Sequence, residues 1–219
     1  MVNNALRFIN QRIMFPRRYA FLAAELRPLL GEARSILDIG SSNGILIQQI
    51  TSALPDCTVA CVDVHVQPDA VLPIQKYDGT RLPFDDDSFD CAVLIDVLHH
   101  ASDPVALLTE ATRVARRQVV IKDHYFESRL DWWVLKLADL GGNTAHGIDV
   151  PCNYLDVPAW HAAFVRCGLT ISIEKLVTKL SVDPCKHVIY RLQKRRDPAP
   201  SHSRAAAEMP PPPDHQVAN

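Results

Sequence analysis

Four short runs are apolar almost without interruption: Ile36-Leu37-Asp38-Ile39, Val59-Ala60-Cys61-Val62, Cys91-Ala92-Val93-Leu94-Ile95 and Gln118-Val119-Val120-Ile121. A strand with one wet face alternates apolar and polar residues, whereas a run without alternation needs cover on both faces. Segments of helical spacing lie between these runs, at Gly44–Leu54 and at Pro104–Val114 behind Asp103 as N-cap, and after the last of them, at Ser128–Leu140. Strands alternating with helices specify an α/β fold with a mostly parallel sheet between two helical layers.

The rest of the chain completes that plan. Residues 3–14 and 17–30 have helical spacing on either side of Pro16, and strands are expected at Ser35–Ile39, Thr58–Val62, Asp90–Ile95 and Gln118–Lys122. A short apolar piece lies near Val71–Ile74. A last helix spans Pro158–Cys167 and stops at Gly168. The strands Leu169–Val177 and His187–Leu192 follow, with only a short turn around Ser181–Pro184 between them. No helix fits in that turn, so the pair is expected as an antiparallel hairpin at the sheet edge. The domain plan is N-terminal helices over 1–33, one α/β domain over 34–194 and a Pro-rich tail over 195–219. The tail, with its run Pro210–Pro213, is expected to be disordered.

Composition excludes several classes. Lys+Arg 23 against Asp+Glu 25 leaves a net charge of −2, which supplies no global field for nucleic acid. The basic residues Lys186, Arg191, Lys194, Arg195 and Arg196 gather at the end of the fold. No window offers the roughly 18 apolar residues of a membrane span, and the N-terminal stretch lacks a secretory cleavage site. The six cysteines show no Cys-x-x-Cys pair and no zinc-type spacing, so they are expected reduced and mostly buried. A cytoplasmic protein is the expectation.

The first strand runs into Asp38-Ile39-Gly40-Ser41-Ser42-Asn43-Gly44 and then a helix. In parallel α/β sheets ligands bind at the carboxyl ends of the strands, most often at the first βα turn. A dinucleotide fingerprint needs Gly-x-Gly-x-x-Gly, and this turn has Gly-x-x-x-Gly, which disfavours a nicotinamide enzyme. Asp38 sets a carboxylate beside the turn, suited to a ligand with a positive end.

Strand, Asp38–Gly44 and helix together resemble motif I of the class I S-adenosylmethionine-dependent methyltransferases, with Ser42 in place of the middle glycine. The second strand ends at Val62-Asp63-Val64. Asp78-Gly79-Thr80-Arg81-Leu82-Pro83-Phe84, Ser88-Phe89-Asp90 and Val97-Leu98-His99-His100 follow in an order similar to the branch called methyltransferase type 11. The resemblance covers roughly residues 34–125. It implies a Rossmann-like, mostly parallel seven-stranded sheet with helices on both faces and the antiparallel C-terminal edge hairpin. It also implies S-adenosyl-L-methionine as cofactor and cofactor contacts from Asp38, Gly40, Ser41, Gly44, Asp63, Val64, Asp78, Gly79 and Asp96, with Asp63 holding the ribose hydroxyls.

The expected reaction is in-line transfer of the sulfonium methyl to an oxygen, nitrogen or carbon nucleophile of a small molecule. The different-class alternative is a non-catalytic cofactor-binding sensor or scaffold. Positioning supplies much of such a rate, and a protonated nucleophile also needs a base. His124, leaving the fifth strand, is the first choice for that base, with Asp123 to orient it; capping or surface roles are the bland alternative. The tandem His99-His100 has no further ligands nearby in sequence, so it reads as structural, and no metal is expected. The insert 126–156, with Trp132, Trp133, Gly141 and Gly142, fits a substrate lid; ordinary core for Trp133, Leu135 and Leu137, or a membrane-touching helix, are the other readings. Nothing in the sequence names the acceptor.

Overall fold

The computed structural model describes residues 15–143, 151–178 and 185–195. The expected helix over 3–14, the turn at Ser181–Pro184 and the Pro-rich tail from Asp197 onward lie outside the described residues.

Along the chain the elements are α1 (Phe15–Leu30), β1 (Ser35–Ile39), α2 (Ile45–Thr51), β2 (Thr58–Asp63), β3 (Ile74–Lys76) and β4 (Phe89–Ile95). A 3-10 turn (Leu98–His100), α3 (Pro104–Val114), β5 (Ala115–His124), α4 (Arg129–Asn143), α5 (Val157–Arg166), β6 (Leu169–Val177) and β7 (His187–Lys194) follow. The strands form one seven-stranded sheet in the order β3-β2-β1-β4-β5-β7-β6. The first five pair in parallel, and β7 runs antiparallel to both β5 and β6.

The non-alternating runs behave as their composition requires. Ile36, Val93 and Val120 turn to a core with Leu22, Leu26 and Leu30 of α1 and Ile47 and Ile50 of α2. Their neighbours Leu37, Leu94 and Val119 turn the other way, to Leu108 of α3 and to Trp160 and Phe164 of α5. Successive strand residues face opposite sides, so each run needs both layers.

Local signals set the helix ends. Asp103 accepts from Val105 N and Ala106 N at 3.0 and 2.9 Å, with Pro104 in the first turn. Asp156 caps α5 through Ala159 N at 2.8 Å. At α4, Ser128 Oγ accepts from Asp131 N while Asp131 Oδ2 accepts from Ser128 N, a reciprocal cap. α1 starts at Phe15, two residues before the expected start at 17, and takes Pro16 into its first turn, where a missing N–H leaves no intrahelical bond unmade.

The insert forms α4 with a small satellite core of Leu135, Tyr154 and Cys185. Leu135 is buried, but Trp133 and Leu137 are exposed, so only the first belongs to a core. Cys57 and Cys152 are half-buried and the other four cysteines buried. No described helix is long and apolar enough to cross a membrane.

Candidate functional site

The glycine turn closes over the carboxyl ends of β1 and β2. Gly40 N and Ser41 N both donate to Val62 O, at 2.9 and 3.2 Å, and Gly44 N donates to Ser41 O at 2.8 Å. Gly40 has φ +76°, and a Cβ there would lie 2.3 Å from Val97 Cγ2, so the position demands glycine twice over. Ser42, in place of a middle glycine, nevertheless takes the left-handed conformation, φ 53°. Its N–H is used, donating to Asp63 Oδ2 at 2.8 Å.

The carboxylates expected around this turn are differently engaged. Asp63 also accepts from His65 N at 2.9 Å, so it organises two loops from the end of β2. Asp78 is exposed and accepts from Thr80 N and Arg81 N, which holds its carboxyl below the usual range. Val64 is half exposed and lies against Gly79. Asp96 is committed to cations: Arg18 Nη2 donates to it at 3.1 Å, and it pairs with the fully buried Lys122. Burial opposes the Asp96 charge, but Lys122, His124 and Arg18 outweigh it and hold its carboxyl well below the usual range. Burial in turn pulls the Lys122 ammonium down, against Asp96.

Asp38 is buried beneath the turn. Burial pushes its carboxyl up to about 7, against the Ser41 hydroxyl and with reinforcement from Asp63. The folded protein therefore retains a proton that the unfolded chain releases near pH 4, so this group lowers stability as pH rises from about 4 to 7. Asp38→Asn removes the penalty. In unfolding titrations at pH 5 and pH 8, the variant's advantage over wild type is expected to widen with pH, toward a ceiling of about 4 kcal/mol. An advantage independent of pH would contradict a neutral Asp38.

Asp123 and His124 do not lie beyond β5 but are its last two residues, because β7 pairs along it as far as His124↔His187. Trp160 Nε1 donates to His124 O at 3.2 Å and fixes the strand end. Asp123 stands near His124 and nearer still to a second imidazole. Asp123 Oδ1 accepts from His99 Nδ1 at 2.6 Å and from the backbone N of His124 at 2.7 Å, while His124 Nδ1 stays 3.6 Å away. Side chains at 123 and 124 leave opposite faces of the strand, and the His124 ring reaches Asp123 at ion-pair distance while the shorter bond goes to His99. Burial opposes the Asp123 charge, yet His99 and the bonds from His124 and His99 hold its carboxyl well below the usual range. For His99 burial works against the charged ring, and the Asp123, Asp139 and Asp96 charges overcome it and raise the pKa.

His124 Nδ1 is buried without a hydrogen-bond partner, 3.7 Å from Asp96 Oδ1. Four imidazoles run in contact here: His100 to His99 at 4.1 Å between ring centres, His99 to His124 at 4.9 Å and His124 to His187 at 4.7 Å. Lys122 belongs to the segment the sequence singled out at the end of the fifth strand; the residues missed from sequence are Asp139, Tyr154 and His187, which come from distant segments.

The basic residues lie elsewhere. Arg116, Arg117, Arg191, Lys194 and Arg195 line a cleft of about 640 Å³ at the opposite end of β5. Asp90 pairs with Arg116 there at 2.9 Å.

Residues 37–121 match the family described as a methyltransferase domain. No curated protein sequence matches the chain. Solved structures share its fold. An S-adenosylmethionine-dependent methyltransferase of Mesorhizobium loti is 15% identical, with a TM-score of 0.59 over 78% of this chain and 96% of that one. Magnesium protoporphyrin IX methyltransferase of Synechocystis, with bound S-adenosylhomocysteine, is 16% identical, with a TM-score of 0.59 over 81% and 82%. The partner bound to the Trm112 methyltransferase activator of Haloferax volcanii is 16% identical, with a TM-score of 0.63 over 86% and 94%.

Proposed function

We propose that this chain, a class I S-adenosylmethionine-dependent methyltransferase, transfers its cofactor's methyl group to a small molecule through an oxygen, nitrogen or carbon nucleophile. The observation that carries the acceptor class is burial: His124, Asp123 and Lys122 are 7%, 1% and 0% exposed at the strand ends, beside the Val97 that touches Gly40. Proton-handling groups so enclosed suit a small acceptor better than a polymer lying in an open groove.

The cofactor contacts in this reading are Asp38, Gly40, Ser41, Gly44, Asp63, Val64, Asp78, Gly79 and Asp96. When bound, the cofactor would supply an electrophilic methyl on a sulfonium, for in-line transfer to the acceptor with a neutral thioether as leaving group. His124 Nδ1, buried and unbonded, takes the proton of an O–H or N–H acceptor. Asp123 positions the strand end through the His124 backbone and holds the neighbouring His99 ring.

The deciding experiment incubates the protein with methyl-labelled cofactor and a fractionated cell extract. Label in the small-molecule fraction supports the reading, and label confined to protein or nucleic acid overturns it. Calorimetry on the same preparation is expected to show S-adenosylhomocysteine binding and little or no NAD binding.

The ribose clamp gives a separate expectation. Two vicinal hydroxyls donating to one carboxylate make charge-assisted bonds of about 1.5–3 kcal/mol each at best. Asp63→Ala also loses the tie to Ser42 N. Cofactor affinity is expected to fall at least tenfold with the fold retained, read by calorimetry and thermal unfolding. An unchanged dissociation constant would leave Asp63 with loop organisation alone.

A further inference from the structure

We propose that His99, His100 and Asp139 bind a divalent first-row transition-metal ion, with Asp123 as the carboxylate that orients His99. In sequence the histidine pair stands without further ligands, and the fold supplies one from 39–40 residues away. His99 Nε2 lies 3.5 Å from Asp139 Oδ2, and one ligand atom from each of the three residues falls within 4.8 Å of the others. Two ligands on a tetrahedral ion at ordinary bond lengths stand about 3.3 Å apart, so the His99–Asp139 pair is already near that spacing.

The surroundings are those of a built site. His99 Nδ1 donates to Asp123 at 2.6 Å, which leaves Nε2 for the ion, the outer-shell carboxylate arrangement that orients metal-binding imidazoles. The Tyr154 hydroxyl donates to Asp139, and its ring stacks on His99 at 5.7 Å. Asn153 N donates to His99 O at 3.3 Å, and Asn153 Nδ2 to Ala101 O at 2.7 Å, closing the back of the pair. His99 is 2% exposed and the Asp139 side chain 13%, so neither is a solvated surface group.

A second grouping, Asp96, His124 and His187, also converges. There Lys122 already places an ammonium on Asp96, and Arg18 a guanidinium, so a further cation is opposed. Around His99 the charged neighbours are Asp123, Asp139 and Asp96. Two imidazoles and one carboxylate favour Zn²⁺, Co²⁺, Ni²⁺ or Fe²⁺ over Mg²⁺ and Ca²⁺. Three protein ligands leave a fourth position for water or an acceptor heteroatom. Such an ion would tie α4 to the ends of β4 and β5.

The test uses the untagged full chain after chelator treatment, titrated with Co²⁺ by visible absorption and with Zn²⁺ by calorimetry. One ion per chain is expected. Asp139→Asn and His100→Gln should each weaken binding at least a hundredfold, while both variants still bind S-adenosylhomocysteine, the check on folding. His161→Gln, an exposed histidine outside the cluster, should leave binding unchanged. A wild type with no Co²⁺ band and no Zn²⁺ heat overturns the site whatever the variants do. So does binding that survives Asp139→Asn and His100→Gln, or that is lost in His187→Gln alone. The cofactor readout is independent of the ion, so failure here leaves the methyl-transfer reading intact.

Discussion

His124→Ala is expected to bind S-adenosylhomocysteine with nearly wild-type affinity and to turn over two to four orders of magnitude more slowly, the usual contribution of a positioned general base. The reason is placement. His124 ends a central strand whose register with β7 is continuous through His124↔His187, and its Nδ1 makes no hydrogen bond. The glycine turn and Asp63 belong to β1 and β2, with β4 standing between them and β5, and Asp96 keeps its Arg18 and Lys122 partners when the His124 ring is removed, so cofactor affinity is expected to change little. The comparison needs labelled-methyl turnover on an acceptor carrying an O–H or N–H, with cofactor affinity from the same preparation. Wild-type turnover in the variant would remove His124 from the reaction and leave positioning to explain the rate.

Gly40→Ala is expected to destabilise the fold by about 3 kcal/mol and to weaken cofactor binding by more than an order of magnitude. Two costs add at this position. A left-handed backbone costs a residue with a Cβ roughly 1–2 kcal/mol, and forcing a methyl into filled space costs about 1–3 kcal/mol more. The filled space is the Val97 side chain, 2.3 Å from the new atom, and a β-branched residue has little rotamer freedom with which to withdraw. Because Val97 leads into the Leu98–His100 turn, its retreat would also disturb the histidine pair. Chemical denaturation with calorimetry checks both effects. A variant as stable as wild type with full affinity would show that the turn relaxes around Cβ. Ser42 offers the contrast: it holds φ 53° with a side chain in place, so strain without a clash is tolerated one residue beyond the close approach at Gly40 and Ser41.

Several elements were legible because their cause is local. Asp103-Pro104 announces a capped helix and makes one, and the glycine after Cys167 stops α5 where expected, at φ +68°. Others were read short. The sequence suggests that β5 ends at Lys122, because Asp123 and His124 look like loop residues, yet the strand continues because β7 offers hydrogen-bond partners for its last two positions. Pairing with β6, through Leu169↔Lys194, carries β7 on to Lys194. Within the site, Asp38, Gly40 and Asp63 stand together at the ends of β1 and β2 as their motif order implies. Asp96 is already occupied by Lys122 and Arg18, the latter from a helix 78 residues upstream, which no spacing rule indicates.

The sequence by itself determined the architecture: runs that do not alternate must be covered on both faces, and a strand leading through Gly40 to Gly44 into a helix must place its turn at the carboxyl edge of the sheet. These are consequences of backbone geometry and burial acting over a few residues. The tertiary structure decided which polar groups meet. Asp123 has an imidazole next to it in the chain, yet makes its shortest side-chain bond to the ring of His99, because its strand face points toward the 3-10 turn, where Leu98 N also donates to it. His99 in turn meets Asp139 only because α4 folds back over that turn. A hydrogen bond depends on a few tenths of an ångström and on direction. Packing between segments far apart in sequence sets both, and local propensity sets neither.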